Sequence, residues 1–104
     1  MDAQMKKGVL EMCILNQLHS QDMYGYEITS VIKKAFPNVY EGTVYTILRR
    51  LNASNYTETY MGDVSGGPAR KYYRITESGR EYLASSINEW RDLIAAVEMT
   101  GIIR

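Results

Sequence analysis

Cysteine, histidine, tryptophan and phenylalanine each occur once among the 104 residues of this chain, and proline occurs twice. Cys13 alone cannot close an intramolecular disulfide or build a thiolate metal cluster, which fits a reducing cytoplasm. It lies on the apolar side of the first helix and reads as a small hydrophobe. His19 has no second ligand at metal spacing and no nucleophile beside it, so it reads as a surface histidine. No Ser/His/Asp set, paired-carboxylate pocket or phosphate-binding P-loop is evident, so the expectation is no catalysis, no metal and no cofactor. No apolar run approaches bilayer length, and the opening MDAQMKKGVLE has no secretory h-region, so no membrane partner is expected. An excess of either charge is also missing: 12 basic residues balance 12 acidic ones. Low-complexity tracts are absent, and the ordinary apolar fraction is enough for one domain with a modest core.

The charges that are present are unevenly placed. From Lys33 to Arg80 there are eight basic residues against Glu41, Glu58, Asp63 and Glu77. A neutral chain with a basic middle is consistent with one face meeting a polyanion.

Periodicity divides the chain into elements. Residues 5–19 read as a first helix, with Val9, Met12, Cys13 and Ile14 or Leu15 covering more than half its circumference, so it should be buried on two sides. Residues 23–35 read as a second helix whose apolar face is Tyr24, Ile28, Val31, Ile32 and Ala35. Gly25 lowers its helix propensity and implies close packing or a turn there. Phe36-Pro37-Asn38 ends it, because the residue before proline is driven out of the α region. A third helix covers about 41–54. Residues 56–61, YTETYM, alternate at period two and read as a strand; 62–68 form a glycine-rich turn; 70–75 return as a tyrosine-rich strand. Tyr72 and Tyr73 read as packing residues of that strand. Thr76 is a good N-cap for a last helix reaching about Thr100. Leu83, Ile87, Trp90, Ile94 and Val97 are spaced 4, 3, 4, 3 along it, a heptad seam. A helix of that length extends ~37 Å, longer than so small a body covers, so it is expected to pair with a second copy.

Three helices, a β-hairpin and a long helix describe a mainly α (α+β) fold: a winged helix-turn-helix with a C-terminal dimerisation helix. The third helix is the one such a fold places in the major groove. Its segment EGTVYTILRRL buries Val44, Ile47, Leu48 and Leu51 and turns Gly42, Thr46 and Arg49 outward, flanked by Thr43, Tyr45 and Arg50. Compact groups near the N-terminus can reach base edges, and the guanidinium groups can meet phosphate. Arg70 and Lys71, beside the glycine turn, read as phosphate contacts. The domains expected are a winged-helix unit over 1–75 and a dimerisation helix over 76–104. The competing expectation is a winged-helix protein-interaction module that does not read DNA sequence.

YGYEI at Tyr24–Ile28, GTVYTILRRL at Gly42–Leu51, GGPARKYYRITESGREYL at Gly66–Leu83 and the lone Trp90 together resemble the PadR family of bacterial transcriptional regulators over nearly the whole chain. The short length resembles the small subfamily that includes a multidrug-binding repressor of lactic-acid bacteria. The resemblance implies a homodimeric repressor of a double-stranded DNA operator, released by a small molecule or another signal. Thr43, Tyr45 and Thr46 match the family's DNA-contacting turn, and Gly66, Gly67, Arg70 and Lys71 match its wing. Trp90 matches an aromatic beside the ligand pore, with Met5, Met12 and Asn16 on the facing helix by position, which implies a planar aromatic or hydrophobic effector; the residues alone fit equally a closed dyad in which Trp90 packs the dimer core. Three positions depart from the pattern. Thr46 stands where proline is frequent, Ser54-Asn55-Tyr56 replaces a small apolar turn, and Ile94 stands where the multidrug-binding member resembles an acid.

Overall fold

The computed structural model describes residues 3–62 and 67–102. The elements are α1 (Ala3–Ser20), β1 (Met23–Tyr24), α2 (Gly25–Ala35), α3 (Glu41–Ala53), β2 (Thr57–Gly62), β3 (Arg70–Ile75) and α4 (Glu77–Met99). The expected order of helices and hairpin is present, with one addition. Met23 and Tyr24 do not begin the second helix; they pair antiparallel with Tyr73 and Tyr72. The sheet is therefore three-stranded, in the order β1-β3-β2, which covers the free edge that a lone hairpin would leave on β3. The helix starts at Gly25, two residues later than expected, and the Glu27 carboxylate accepts the Tyr24 backbone N–H at 3.1 Å.

Helix α1 is apolar on nearly every side and lies at the centre, touching α2, α3, α4 and β3. Its deepest residues are Leu10, Ile14, Leu15 and Leu18, whereas Val9, Met12 and Cys13 are half-buried toward α4. Periodicity could not rank these positions, because the apolar residues of α1 spread over most of its circumference and mark no single face. On α2, Ile28 and Ile32 enter the core and Ala35 is exposed. Thr29 is also buried, its hydroxyl donating to the Gly25 carbonyl at 2.9 Å. On α3, Val44, Ile47, Leu48 and Leu51 are buried as the spacing predicts.

The turn after α3 is closed by its backbone. Asn55 takes a left-handed conformation, φ 65°, which asparagine tolerates better than most residues. The Tyr56 N–H reaches the Leu51 carbonyl at 3.0 Å and the Asn55 N–H reaches that of Asn52 at 3.1 Å, the paired bonds of a Schellman end. The same turn anchors the start of α4. The Thr76 and Ser78 hydroxyls donate to the Asn55 carbonyl at 2.7 and 2.9 Å, and the Thr76 side chain caps α4 by accepting the Gly79 N–H at 3.0 Å.

Packing does not break at residue 76. Leu83 belongs to the core, and the Tyr82 ring stacks on Tyr56 at 4.3 Å. Leu83 is 4% exposed in the single chain, so it has no surface left to offer a second copy. Beyond it α4 leaves the body, and the molecule measures 54 Å along its longest axis against 29 and 21 Å across.

Candidate nucleic-acid interface

Burial on one side of α3 decides what the other side shows. Gly42, Thr43, Thr46 and Arg49 form an exposed stripe, as their spacing predicts. The Arg49 guanidinium donates to the Thr46 hydroxyl at 3.2 Å, which ties the cation to the stripe. A Cβ added at Gly42 would meet nothing within 4 Å, so no group of the chain itself requires glycine there.

Two of the predicted contacts are engaged within the chain. Tyr45 is half-buried and lies over the start of α2: a Cβ at Gly25 would come within 2.6 Å of its hydroxyl. Gly25 is thus explained by close approach, and the Tyr45 ring is held in place rather than free to swing. Arg50 turns toward α1, where Glu11 accepts from its Nη2 and Nε at 2.9 and 3.1 Å. Tyr82 of α4 donates to the other Glu11 oxygen at 3.1 Å. One carboxylate therefore joins α1, α3 and α4, and Arg50 serves the fold first.

The wing separates Arg70 from Lys71, because consecutive strand residues face opposite sides of a sheet. Arg70, Tyr72 and Arg74 share the outer side. Arg70 lies over the Tyr24 ring and Arg74 over the Tyr60 ring, each 4.6 Å from the centroid, with Tyr72 stacked on Tyr60 at 5.6 Å. The Arg70 Nε is buried without a hydrogen-bond partner among the described residues. Asp22 finishes this row, accepting from the Tyr60 hydroxyl at 2.7 Å and from Arg74 at 3.5 Å. The acceptor Asp22 holds the Tyr60 phenol above its ordinary value. Lys71 shares the other side with buried Tyr73, its ammonium 5.9 Å from that ring. Burial raises the Tyr73 phenol, Tyr45 adds to the rise and the Arg49 guanidinium opposes it, so β3 and α3 lie within electrostatic reach. Between them is a cleft of about 370 Å³ lined by Tyr45, Tyr26, Pro68, Arg70 and Lys71. Gly67 is exposed at the tip, and Gly66 lies outside the described residues.

Spacing alone did not single out Lys6, Lys7, Tyr26 and Tyr40. Tyr40 and Tyr26 are 79% and 68% exposed. Lys6, Lys7 and Tyr40 line a second groove, between α1 and α3, together with Gly42, Thr43 and Thr46. The Lys-Lys pair is visible in the sequence, but only the fold brings it to α3.

Trp90 is 37% exposed and divides two grooves of about 350 and 390 Å³. Met5, Gly8 and Met12 face it on one side, and Met12, Asn16, Phe36 and Arg91 on the other. The four predicted effector residues thus come together around one indole. Leu93, Ile94 and Met99 beyond it are exposed, at 46%, 39% and 89%. Burial raises the Cys13 thiol above its ordinary value, as suits a packing residue. Among the described residues no helix is long and apolar enough to cross a membrane, and no group of three or more His, Cys, Asp or Glu could hold a metal ion.

Comparison with known proteins agrees with this geometry. The model of the transcriptional regulator PadR-like family matches residues 14–85. A crystal structure of a Streptococcus transcriptional regulator superposes with a TM-score of 0.89 at 32% identity, covering 96% of this chain and 99% of that one. A PadR-like transcriptional regulator from Bacillus cereus superposes at 0.87 with 36% identity, covering 98% and 100%. An uncharacterised protein of Lysinibacillus sphaericus is 38% identical over 96 residues, 89% of this chain and 88% of its own length. Matched over most of its length in sequence and superposed over nearly all of it in structure, the chain belongs to the PadR-like family of transcriptional regulators.

Proposed function

We propose that the chain is a homodimeric repressor that binds a palindromic DNA operator and is released when a flat, hydrophobic small molecule enters beside Trp90. The observation that carries the DNA reading is the stripe of Gly42, Thr43, Thr46 and Arg49, exposed on a helix whose opposite face is wholly buried. Small and hydroxylated groups suit base edges, while Arg49 and the wing's Lys71 suit phosphates. The far half of α4 supports the dimer, since Trp90, Leu93 and Ile94 form an exposed apolar face on a helix that outruns its own body. Two copies joined there would carry two recognition helices, and half-sites one turn apart need those helices ~34 Å apart. A ligand between the α4 helices that altered this spacing would lower DNA affinity by favouring the mismatched state.

Heparin chromatography followed by a salt titration of binding to a duplex tests the DNA reading. Retention with a steep log-log dependence on salt is expected, with a slope of about −0.9 per phosphate neutralised. Passage through heparin without retention, together with no shift of any duplex, would instead favour the protein-interaction module.

A further inference from the structure

We infer that Lys6 and Lys7 of α1 form a second phosphate clamp, seating a sugar–phosphate strand in the groove between α1 and α3. The inference rests on the DNA reading above and extends it to an element outside the helix-turn-helix and the wing.

The groove holds about 640 Å³ and has an apolar floor of Leu10 and Ile47. One wall is the recognition helix itself, through Gly42, Thr43 and Thr46; the other carries Lys6 and Lys7. A duplex laid on the exposed stripe therefore brings one flanking backbone over this groove, since stripe and wall share residues. Both lysines are half-buried along their stems, and neither forms an ion pair among the described residues. The nearest carboxylate on their own helix, Glu11, is already satisfied by Arg50 and Tyr82. Glu41, exposed at the start of α3, makes no ion pair with them either. The pair therefore keeps its charge for an outside partner.

The occupant's chemistry follows from the lining. Flexible ammonium groups act as point charges toward phosphate without reading a base. An apolar floor suits the carbon face of deoxyribose, and exposed Tyr40 at the rim adds a flat contact. Gly42, with open space above it, lets a backbone approach α3 closely. Among the described residues no carboxylate lines the groove, so an anionic strand meets no repulsion from them.

The test uses the whole chain and two short duplexes, one of alternating A·T and one of alternating G·C pairs, each titrated with salt. In Lys6→Gln/Lys7→Gln the slope should fall by about 1.8, two phosphates at ~0.9 each. Affinity for both duplexes should fall by the same factor. Lys6→Arg/Lys7→Arg should restore the slope, and its recovery separates the missing charge from damage to α1. An unchanged slope in the glutamine variant, with the parent binding normally, overturns the clamp and leaves the DNA reading standing. Weaker binding to one duplex only also overturns it, because the lysines would then be reading bases. Failure of the parent to bind either duplex removes the DNA reading and the clamp with it.

Discussion

A methyl group at Gly25 of α2 would press on the Tyr45 ring, whereas one at Gly42 of α3 would touch nothing, and this contrast separates a packed position from an open one. Gly25→Ala should cost ~1–3 kcal/mol, because the Tyr45 ring sits in a packed seam and must shift. Thr43→Ala is exposed and should change stability by less than ~0.5 kcal/mol. It should instead lower discrimination between operators by ~1–3 kcal/mol, the worth of one base edge that is no longer read. Urea unfolding beside a competition binding assay tells the two apart; equal stability losses in both variants would contradict the division. The wing divides similarly. Lys71→Ala should reduce the salt slope by about one without unfolding. Arg70→Ala should lower the melting temperature as well, because its guanidinium covers Tyr24. A thermal melt identical to the parent's would show that the Arg70 side chain contributes nothing to the fold.

Between elements, Glu11 of α1 joins two other helices, accepting Arg50 from α3 and Tyr82 from α4. Its surroundings also push the Tyr82 phenol upward, through burial first and the Glu11 charge second. Glu11→Gln keeps the shape but removes the charge that holds Arg50. The expected loss is ~1–2 kcal/mol, or a melting point lower by roughly 4–8 °C per kcal/mol in a domain of this size. Affinity for a random duplex should rise at the same time, since Arg50 is released beside the recognition helix. A gain in stability, or a drop in duplex affinity, would show that Arg50 is already presented to DNA in the parent.

For the molecule as a whole, the assembly proposed above rests on α4. Leu83 is committed to the chain's own core, Ile87 is half-buried against it, and the exposed apolar surface begins at Trp90. Leu93→Glu/Ile94→Glu should therefore give a folded monomer, while Ile87→Glu should also loosen the body. Light scattering at micromolar concentration should report a dimer for the parent; a folded monomer there would sink the assembly proposed. The pocket around Trp90 has its own readout. Flat hydrophobic dyes should bind saturably, quench the lone tryptophan and compete with DNA. Their own fluorescence should report an affinity weaker by roughly tenfold or more in Trp90→Ala, as removal of a stacked aromatic ring allows. No binding by a broad panel would mean that the α4 helices close without a cavity.

Much of this was readable in one dimension because it depends on local chemistry. The 3.6-residue spacing of Val44, Ile47, Leu48 and Leu51 requires that Gly42, Thr46 and Arg49 face out, whatever the rest of the chain does. Thr76 as a cap and the tyrosine-rich return strand are likewise properties of short segments. The rest depended on partners distant in sequence. Met23 and Tyr24 make a strand only because β3 offers an edge, and two residues carry no periodicity of their own. Arg50 is drawn toward α1 by Glu11, which lies 39 positions away in sequence and beside it in space. Lys6 and Lys7 are an ordinary surface pair until α1 packs along α3 and carries them to the groove beside Gly42, Thr43 and Thr46. Helical phase determines which side of a residue is dry, and only the packing of one element on another determines what waits on the wet side.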